Sequence, residues 1–217
     1  NYAWILNMVS KLSSNGVAGF ILANGALSAD GTEGEIRRKM IERGLVEAIV
    51  ILPRNLFYST DISVTLWILN ANKKARIVHR NGEEIHYRDR EKEILFIDMR
   101  QMGEPFEKKY VRFTDEAICK VADAYHNWQR EGHTETYTDI PEFCKSVSVG
   151  EDGGIADKGF SLVPSKYIEF VNRDESVDYD IRMKELQLEL ADILRQEAKS
   201  RESVLNVFKS LGYEIEL

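Results

Sequence analysis

Three short runs of apolar residues, each ended by turn-forming or polar residues, most constrain what this chain can fold into. They span residues 17–23, 45–52 and 64–69. Runs of this length without alternation are typical of strands buried on both faces of a parallel sheet. Amphipathic helical patterns at 2–12 and 35–43 precede the first and second runs. The order strand, helix, strand, strand predicts an α/β sheet that ends in a hairpin.

The middle of the chain predicts further elements of both kinds. The turn dipeptide Asn81-Gly82 lies at the centre of a predicted hairpin over residues 75–87. A further strand is predicted at 93–98. Thr114 has the character of an N-cap, with acidic residues after it, for a helix that ends near Gly132.

The last third of the chain predicts a change of organisation. Residues 135–157 show no clear period, whereas a long helix is indicated from 179 to about 211. We therefore expect three parts, namely an α/β unit at 1–133, an irregular connector at 134–178 and a helical tail at 179–217.

Composition and charge limit the classes of function. The net charge is −7, with 29 basic and 36 acidic residues, so the chain has no broad basic surface for nucleic acid. Any contact with DNA must come from local loops or from parts outside this chain. The sequence has no apolar run of membrane-spanning length and no signal-peptide pattern, and its two cysteines are too few for a disulfide framework or a four-cysteine zinc site. We expect a soluble cytoplasmic protein, and the start at Asn1 rather than Met predicts an excised segment of a longer one.

The segment between the second and third apolar runs, 52–63, is the most informative candidate site. It contains the aromatic residues Phe57 and Tyr58 beside Arg54 and Asn55. Loops at the strand ends of open α/β sheets commonly form ligand sites, and apolar rings in a loop reduce solubility unless they pack or bind. The alternative interpretation is that both rings fold back onto the core.

A short basic cluster follows the third apolar run. Lys73 and Lys74, with Arg76 nearby, are candidates for phosphate contacts. The alternative is an ordinary solvated turn. The four histidines do not stand at a metal-ligand spacing, so no metal site is predicted.

An apolar seam along the predicted C-terminal helix is suited to pairing with another helix or a groove. The alternative is that the seam packs back on its own domain. The candidate docking residues are Met183, Leu186, Leu190, Ile193, Leu194, Leu205 and Phe208.

Several expected catalytic signatures are absent from the sequence. No two glycines are separated by one residue, so no Gly-x-Gly phosphate or cofactor loop is present. The sequence also has no Pro-Pro pair, no Gly-x-Ser-x-Gly motif and no Walker loop. The residues alone therefore predict a truncated α/β domain with a helical tail.

Seven blocks of the chain occur together in a characteristic order. They are residues 1–10 (NYAWILNMVS), 19–28 (GFILANGALS), 52–60 (LPRNLFYST), 66–69 (LWIL), 94–98 (ILFID), 143–146 (FCKS) and 162–167 (LVPSKY). In these blocks the chain resembles the modification subunit of type I restriction–modification systems, a family of N6-adenine DNA methyltransferases.

The resemblance implies a fold, a reaction and a cofactor. The fold is the C-terminal half of a doubly wound methyltransferase sheet with a helical tail, so residues 1–133 belong to the catalytic domain. The family transfers a methyl group directly from S-adenosylmethionine to an adenine flipped out of the duplex. Its glycine-rich cofactor motif and its Asn-Pro-Pro-Phe-type catalytic motif would both lie upstream of Asn1. We therefore expect no catalytic residue in this chain, and an inactive isolated fragment.

The resemblance also implies roles for the aromatic loop and the tail. The loop with Phe57 and Tyr58 matches the region that stacks on the flipped base, although the family often has Gly and Pro in place of Asp61 and Ser63. The tail matches the helices that pack against the DNA-specificity subunit. The implied partners are DNA, the specificity and restriction subunits, and a second modification subunit.

Two other functions compete with this interpretation. One is a non-catalytic protein-interaction module with a degenerate methyltransferase fold. The other is an unrelated α/β enzyme that acts on a small molecule and carries a different cofactor loop upstream.

Overall fold

A computed structural model describes residues 1–150, 152–171 and 179–212 of the protein. The chain forms two compact units, Asn1–Phe170 and Val171–Leu217. The strands are β1 Val17–Ala23, β2 Val46–Ile51, β3 Val64–Asn70, β4 Arg76–Arg80, β5 Glu83–Tyr87, β6 Glu93–Asp98, β7 Glu104–Phe106, β8 Tyr110–Arg112 and β9 Cys144–Ser148. The helices are α1 Tyr2–Lys11, α2 Gly31–Glu42, α3 Asp115–Gln129, α4 His133–Thr136 and α5 Tyr179–Ser210, with short 3₁₀ turns at Asn24–Leu27 and Pro164–Lys166.

The first unit is a mixed α/β fold around a five-stranded sheet with the order β1-β3-β2-β6-β9. Only the central pair β2–β6 is parallel, and the other neighbouring strands are antiparallel. The consecutive strands β2 and β3 pair with Ile51 opposite Thr65, which confirms the hairpin predicted between the second and third apolar runs.

The expectation of strands buried on both faces is right for β2 and wrong for β1. All six residues of β2 are buried. Strand β1 alternates between exposed and half-buried residues, and Val17 and Ile21 are exposed. An apolar run records side-chain character but not sheet position, so it cannot distinguish a central strand from one at the edge.

Helices cover both faces of the sheet. Successive residues of a strand point to opposite sides, so neighbouring residues of β2 pack against different helices. On one face, Ile49 of β2 joins a core cluster with Ile5 of α1 and Ile41 of α2. On the other face, Val50 joins a second cluster with Trp128 of α3. The sheet is therefore the middle layer of the first unit.

Two predicted local signals are confirmed in detail. The Oγ1 atom of Thr114 accepts a hydrogen bond from the backbone N–H of Ala117 at 3.1 Å, so Thr114 caps α3. Asn81 and Gly82 have φ angles of 53° and 82°, the left-handed pair that a type I′ turn requires between β4 and β5.

The stretch 134–178, predicted as an irregular connector, contains the regular strand β9, which pairs with β6. Ile155, Leu162 and Ile168 from the same stretch are buried in the first core cluster. Only two of the five residues of β9 are buried, which explains why the sequence shows no clear period there. Residues 172–178 of this stretch, and 213–217 of the tail, lie outside the described residues.

None of the described helices combines the length and the apolar character that a membrane span requires.

Candidate functional site

The carboxyl ends of the two parallel strands lie side by side at one edge of the sheet. The backbone N–H of Met99, directly after β6, donates to the carbonyl oxygen of Ile51 at the end of β2 at 2.9 Å. Strand β2 leads into residues 53–63, here named the Tyr58 loop. Strand β6 leads into the β7–β8 hairpin at 104–112, here named the 104–112 hairpin. This edge is where open α/β sheets commonly bind ligands.

Short hydrogen bonds close the base of the Tyr58 loop. The Oγ atom of Ser63 donates to the carbonyl oxygen of Leu52 at 2.6 Å, and the N–H of Leu52 donates to the carbonyl of Val64 at 2.8 Å. Farther out, the N–H of Thr60 donates to the carbonyl of Phe57 at 3.3 Å. The loop is therefore a closed turn, and Ser63 supplies one of its bonds.

The two aromatic residues of the Tyr58 loop have different environments. Phe57 is half-buried and packs against the second core cluster. Tyr58 is 70% exposed, and its ring meets that of Tyr110 edge-on, with 4.7 Å between centroids and 70° between planes. The alternative that the rings fold back onto the core is thus right for Phe57 only, because the Tyr58 ring lies mostly in solvent.

Arg54 and Asn55 lie in the same loop as Tyr58. The Nε atom of the exposed Arg54 donates to the carbonyl of Asp61 at 3.3 Å. Its Nη atoms have no hydrogen bond within the described part of the chain. Asn55 is half-buried with a φ of 59°, and its carbonyl accepts a hydrogen bond from the N–H of Val111 at 3.0 Å. Arg54 can therefore reach an anion, whereas the backbone of Asn55 is held by the 104–112 hairpin.

Lys73 and Lys74 lie at the opposite end of the sheet. They follow β3, a strand of seven residues antiparallel to β2, so about 20 Å of strand separates them from the Tyr58 loop. Lys74 is exposed, with Nζ 4.0 Å from a carboxylate oxygen of Glu91. The predicted DNA-contact residues therefore do not form one patch.

The prediction that Lys73 contacts phosphate is wrong, because its side chain turns into the protein. It is only 2% exposed, and Nζ donates to the carbonyls of Val46 at 2.8 Å and Glu93 at 2.6 Å. Burial lowers the pKa of the Lys73 ammonium to about 8. The side chain joins the amino ends of β2 and β6 instead of facing solvent.

A buried polar cluster, here named the Glu47 network, fills the interior near Lys73. The Glu47 carboxylate is fully buried and accepts a hydrogen bond from Asn70 Nδ2 at 2.7 Å. Arg90, also fully buried, donates to it through Nε and an Nη atom at 3.2 and 3.1 Å. Tyr125 and Gln129 of α3 add bonds of 3.1 and 3.0 Å. Burial, with the nearby Glu47 carboxylate, raises the pKa of Tyr125 far above its ordinary range.

The sequence contained one signal for the Glu47 network. Glu47 is a charged residue within the otherwise apolar run 45–52, and a buried carboxylate requires partners. Its partners come from distant segments and give no local signal. Tyr110 lacked a sequence signal for a different reason. Strand β8 has only three residues and is too short to show a strand period.

The family model for N-6 DNA methylases matches residues 1–176. The chain belongs to the N-6 DNA methylase family. This N-6 DNA methylase chain is 35% identical over 216 residues to the HindI methylase subunit of Haemophilus influenzae. It is 32% identical over 213 residues to the MjaIX methylase subunit of Methanocaldococcus jannaschii. Both relatives are type I restriction enzyme subunits.

The aligned regions cover 99% and 98% of this N-6 DNA methylase chain, but only 44% and 35% of those two relatives. The methyltransferase subunit of a type I restriction–modification system from Streptococcus thermophilus has a similar structure, with a TM-score of 0.61 and 26% identity. That similarity covers 78% of this chain and 30% of the other. The EcoKI M protein, at 16% identity and a TM-score of 0.51, shares the fold.

The described part of this N-6 DNA methylase chain does not fit S-adenosylmethionine, the methyl donor that the family implies. Neither β2 nor β6 is followed by the glycine-rich turn that would bring backbone close to a nucleotide-like ligand. A cavity of about 430 Å³ lies instead beside β5, between charged side chains that include Glu84 and Arg130. Among all the described residues, no three His, Cys, Asp or Glu side chains converge as a metal site would require.

The predicted docking residues of α5 are almost all exposed. Leu190, Ile193 and Leu194 are each more than half exposed, and only Leu205 is half-buried. The remaining exposed members are Met183, Leu186 and Phe208. An apolar surface of this extent on a helix is typical of an interaction site.

Proposed function

We propose that this chain is part of the modification subunit of a type I restriction–modification system. The subunit transfers a methyl group from S-adenosylmethionine to the N6 atom of adenine in DNA, in the cytoplasm. Within this family, the observation that carries the proposal is the exposed Tyr58 ring at the carboxyl edge of the parallel strands. Cofactor binding and catalysis are assigned to the remainder of a longer subunit, so the isolated chain is inactive.

In this proposal, Tyr58 stacks on the adenine that is flipped out of the duplex. Stacking of a base on an aromatic ring contributes roughly 1–3 kcal/mol, and a ring that is 70% exposed has a face free for that contact. Arg54, whose Nη atoms are unengaged within the described residues, contacts a neighbouring phosphate. Phe57 supports the loop from beneath, Asn55 fixes its backbone, and Lys74 is at most a peripheral contact.

We further propose that the sheet is the C-terminal half of a doubly wound methyltransferase sheet. The support is strand β1, which pairs with β3 on one side and has no partner on the other among the described residues. Further strands of the longer subunit extend the sheet from that edge. The catalytic part continues beyond residue 133 to Phe170, because β9 pairs with β6 inside the same compact unit.

The helical tail is proposed to dock the subunit onto the DNA-specificity subunit. The support is the exposed apolar surface of α5, including Leu190, Ile193 and Leu194. Burying such side chains contributes about 25 cal/mol per Å² of apolar surface, which favours a stable assembly. The restriction subunit and a second modification subunit complete the proposed complex.

The test uses the longer subunit that contains this chain, assembled with its partner subunits. Labelled methyl transfer from S-adenosylmethionine is measured on unmethylated genomic DNA, and the modified adenines are mapped to define an oligonucleotide substrate. We expect methylation by the wild type and none by the isolated chain. Tyr58→Ala lowers the rate about 5- to 100-fold, whereas Tyr58→Phe, which keeps the ring, stays close to wild type.

The second candidate function, a non-catalytic interaction module, is favoured by the apolar surface of α5 and by the lack of a cofactor-binding turn in the described residues. It predicts an assembly that forms normally but transfers no methyl group. If the assembly is active and Tyr58→Ala has the wild-type rate, the methyltransferase assignment stands and the stacking role of Tyr58 is rejected.

A further inference from the structure

The orientation of the Tyr58 ring is not fixed by the core. Because the side chain is 70% exposed, it would sample several rotamers unless a neighbour restrained it. Among the described residues, its aromatic neighbour is Tyr110 of the 104–112 hairpin, whose ring lies edge-on at 4.7 Å. Tyr110 thus restrains one side of the Tyr58 ring.

Three consecutive residues of the hairpin contact the Tyr58 loop. The Nζ atom of Lys109 lies 3.4 Å from a carboxylate oxygen of Asp61 and 5.2 Å from the centre of the Tyr110 ring. The N–H of Val111 donates to the carbonyl of Asn55 at 3.0 Å. The hairpin therefore holds the loop through an ion pair, a ring contact and a backbone hydrogen bond.

Gly103, directly before the hairpin, allows the Val111 side chain to pack closely against the chain that enters the hairpin. A Cβ atom at that position would overlap Cγ1 of Val111 and would lie 3.6 Å from Cγ of Pro53 at the base of the loop. The overlap is with the hairpin's own Val111, and Pro53 would be in ordinary contact, so Gly103 determines the packing inside the hairpin that presents Lys109 and Tyr110.

We propose that the 104–112 hairpin is a positioning element for the base-stacking site, with Tyr110 and Lys109 as positioning residues that act through Tyr58. The proposal rests on the proposed function. A flipped base requires its stacking partner in place when it leaves the duplex, and a ring held in advance loses less freedom on binding. The hairpin supplies that preorganisation, and its residues need not touch the DNA.

A double-mutant cycle in the assembled methyltransferase tests the coupling. Tyr110→Leu removes the ring contact and lowers kcat about five-fold with little change in KM for DNA, because the restraint acts on the flipped state. Tyr110→Phe keeps the contact and restores kcat. In the Tyr58→Ala background, Tyr110→Leu has no further effect, since both act through one ring.

Adjacent lysines provide a matched control. Lys109→Met and Lys108→Met each remove one positive charge from the same hairpin, and within the described residues Lys108 forms no ion pair. We expect Lys109→Met to lower kcat about two- to three-fold and Lys108→Met to leave it unchanged. This pair keeps the proposal testable if Tyr110→Leu does not fold.

The outcomes separate the two levels of the proposal. If Tyr58→Ala is impaired while Tyr110→Leu and Lys109→Met match the wild type, the positioning role is overturned and the proposed function survives. Equal losses from Lys108→Met and Lys109→Met overturn the positioning role of Lys109 in favour of simple charge. A wild-type assembly that transfers no methyl group overturns both proposals.

Discussion

The two ends of the parallel pair β2–β6 use polar and aromatic side chains in opposite ways. At the amino end, Glu47 and Arg90 are fully buried and form an ion pair, and the Glu47 carboxylate also accepts hydrogen bonds from neighbouring side chains. At the carboxyl end, Tyr58 is 70% exposed and Arg54 has only Nε engaged within the described residues. The first end stabilises the fold, and the second end presents groups that can bind.

This difference shows that the position of a polar residue in the sheet, and not its type, determines its role. A buried carboxylate with several donors contributes to stability only while all its partners remain. An exposed ring with one neighbour contributes little to stability and keeps its capacity to bind. Substitutions at the two ends should therefore separate stability from function.

The largest expected effect is at the Glu47 network. Glu47→Gln keeps the shape but leaves the Arg90 guanidinium without a buried counter-charge, so we expect a loss of about 3 kcal/mol in the free energy of unfolding. Urea unfolding of the chain, followed by circular dichroism, measures it. Glu42→Gln is the matched control, because Glu42 forms a 2.7 Å ion pair with Arg38 at the surface. Equal losses in the two variants would contradict the assigned role of burial.

A smaller effect should distinguish the adjacent rings of the Tyr58 loop. Phe57→Ala removes a half-buried ring from the second core cluster, so we expect a stability loss of about 1–2 kcal/mol. Tyr58→Ala should cost about 0.5 kcal/mol or less, because the ring is mostly in solvent. Thermal unfolding of both variants checks this, and a reversed order would show that Tyr58, not Phe57, supports the loop.

The smallest expected effect is the pH dependence caused by Lys73. Its folded-state pKa is about 8 against an ordinary value of 10.5, so the unfolded chain binds more protons between those values and stability rises with pH. Relative to Lys73→Met, the wild type should gain about 1 kcal/mol of unfolding free energy between about pH 7.5 and about pH 9. Lys74→Met, at the exposed neighbouring position, should keep the wild-type slope. A wild-type slope in Lys73→Met as well would show that Lys73 is not the titrating group.

Much of the local structure follows from local sequence. Thr114 caps α3 as predicted, Asn81-Gly82 forms the turn of the β4–β5 hairpin, and strand β2 is buried throughout. These signals depend on residues close together in the chain, so a sequence pattern can report them. Strand β9 was missed because its few buried residues produce no recognisable period.

The candidate site was only partly predictable. The sequence drew attention to Phe57 and Tyr58 but could not separate them, because the difference between them depends on which ring faces the second core cluster. It also grouped Lys73 with exposed basic residues, although the fold directs that side chain towards two backbone carbonyls. Both outcomes depend on the order of strands in the sheet, which a local pattern does not encode.

The sequence by itself determined the family, the longer helices and most strands, and it singled out the loop that is proposed to carry the aromatic site. Only the tertiary structure decided that β1 is the outermost strand among the described residues, that Lys73 is buried, and that Tyr58 has Tyr110 as its neighbour. The physical reason is range. Helix and strand periods arise from residues within a few positions, whereas Glu47 meets Arg90 across 43 residues and Tyr125 across 78. Such contacts exist only once the sheet has brought distant segments together.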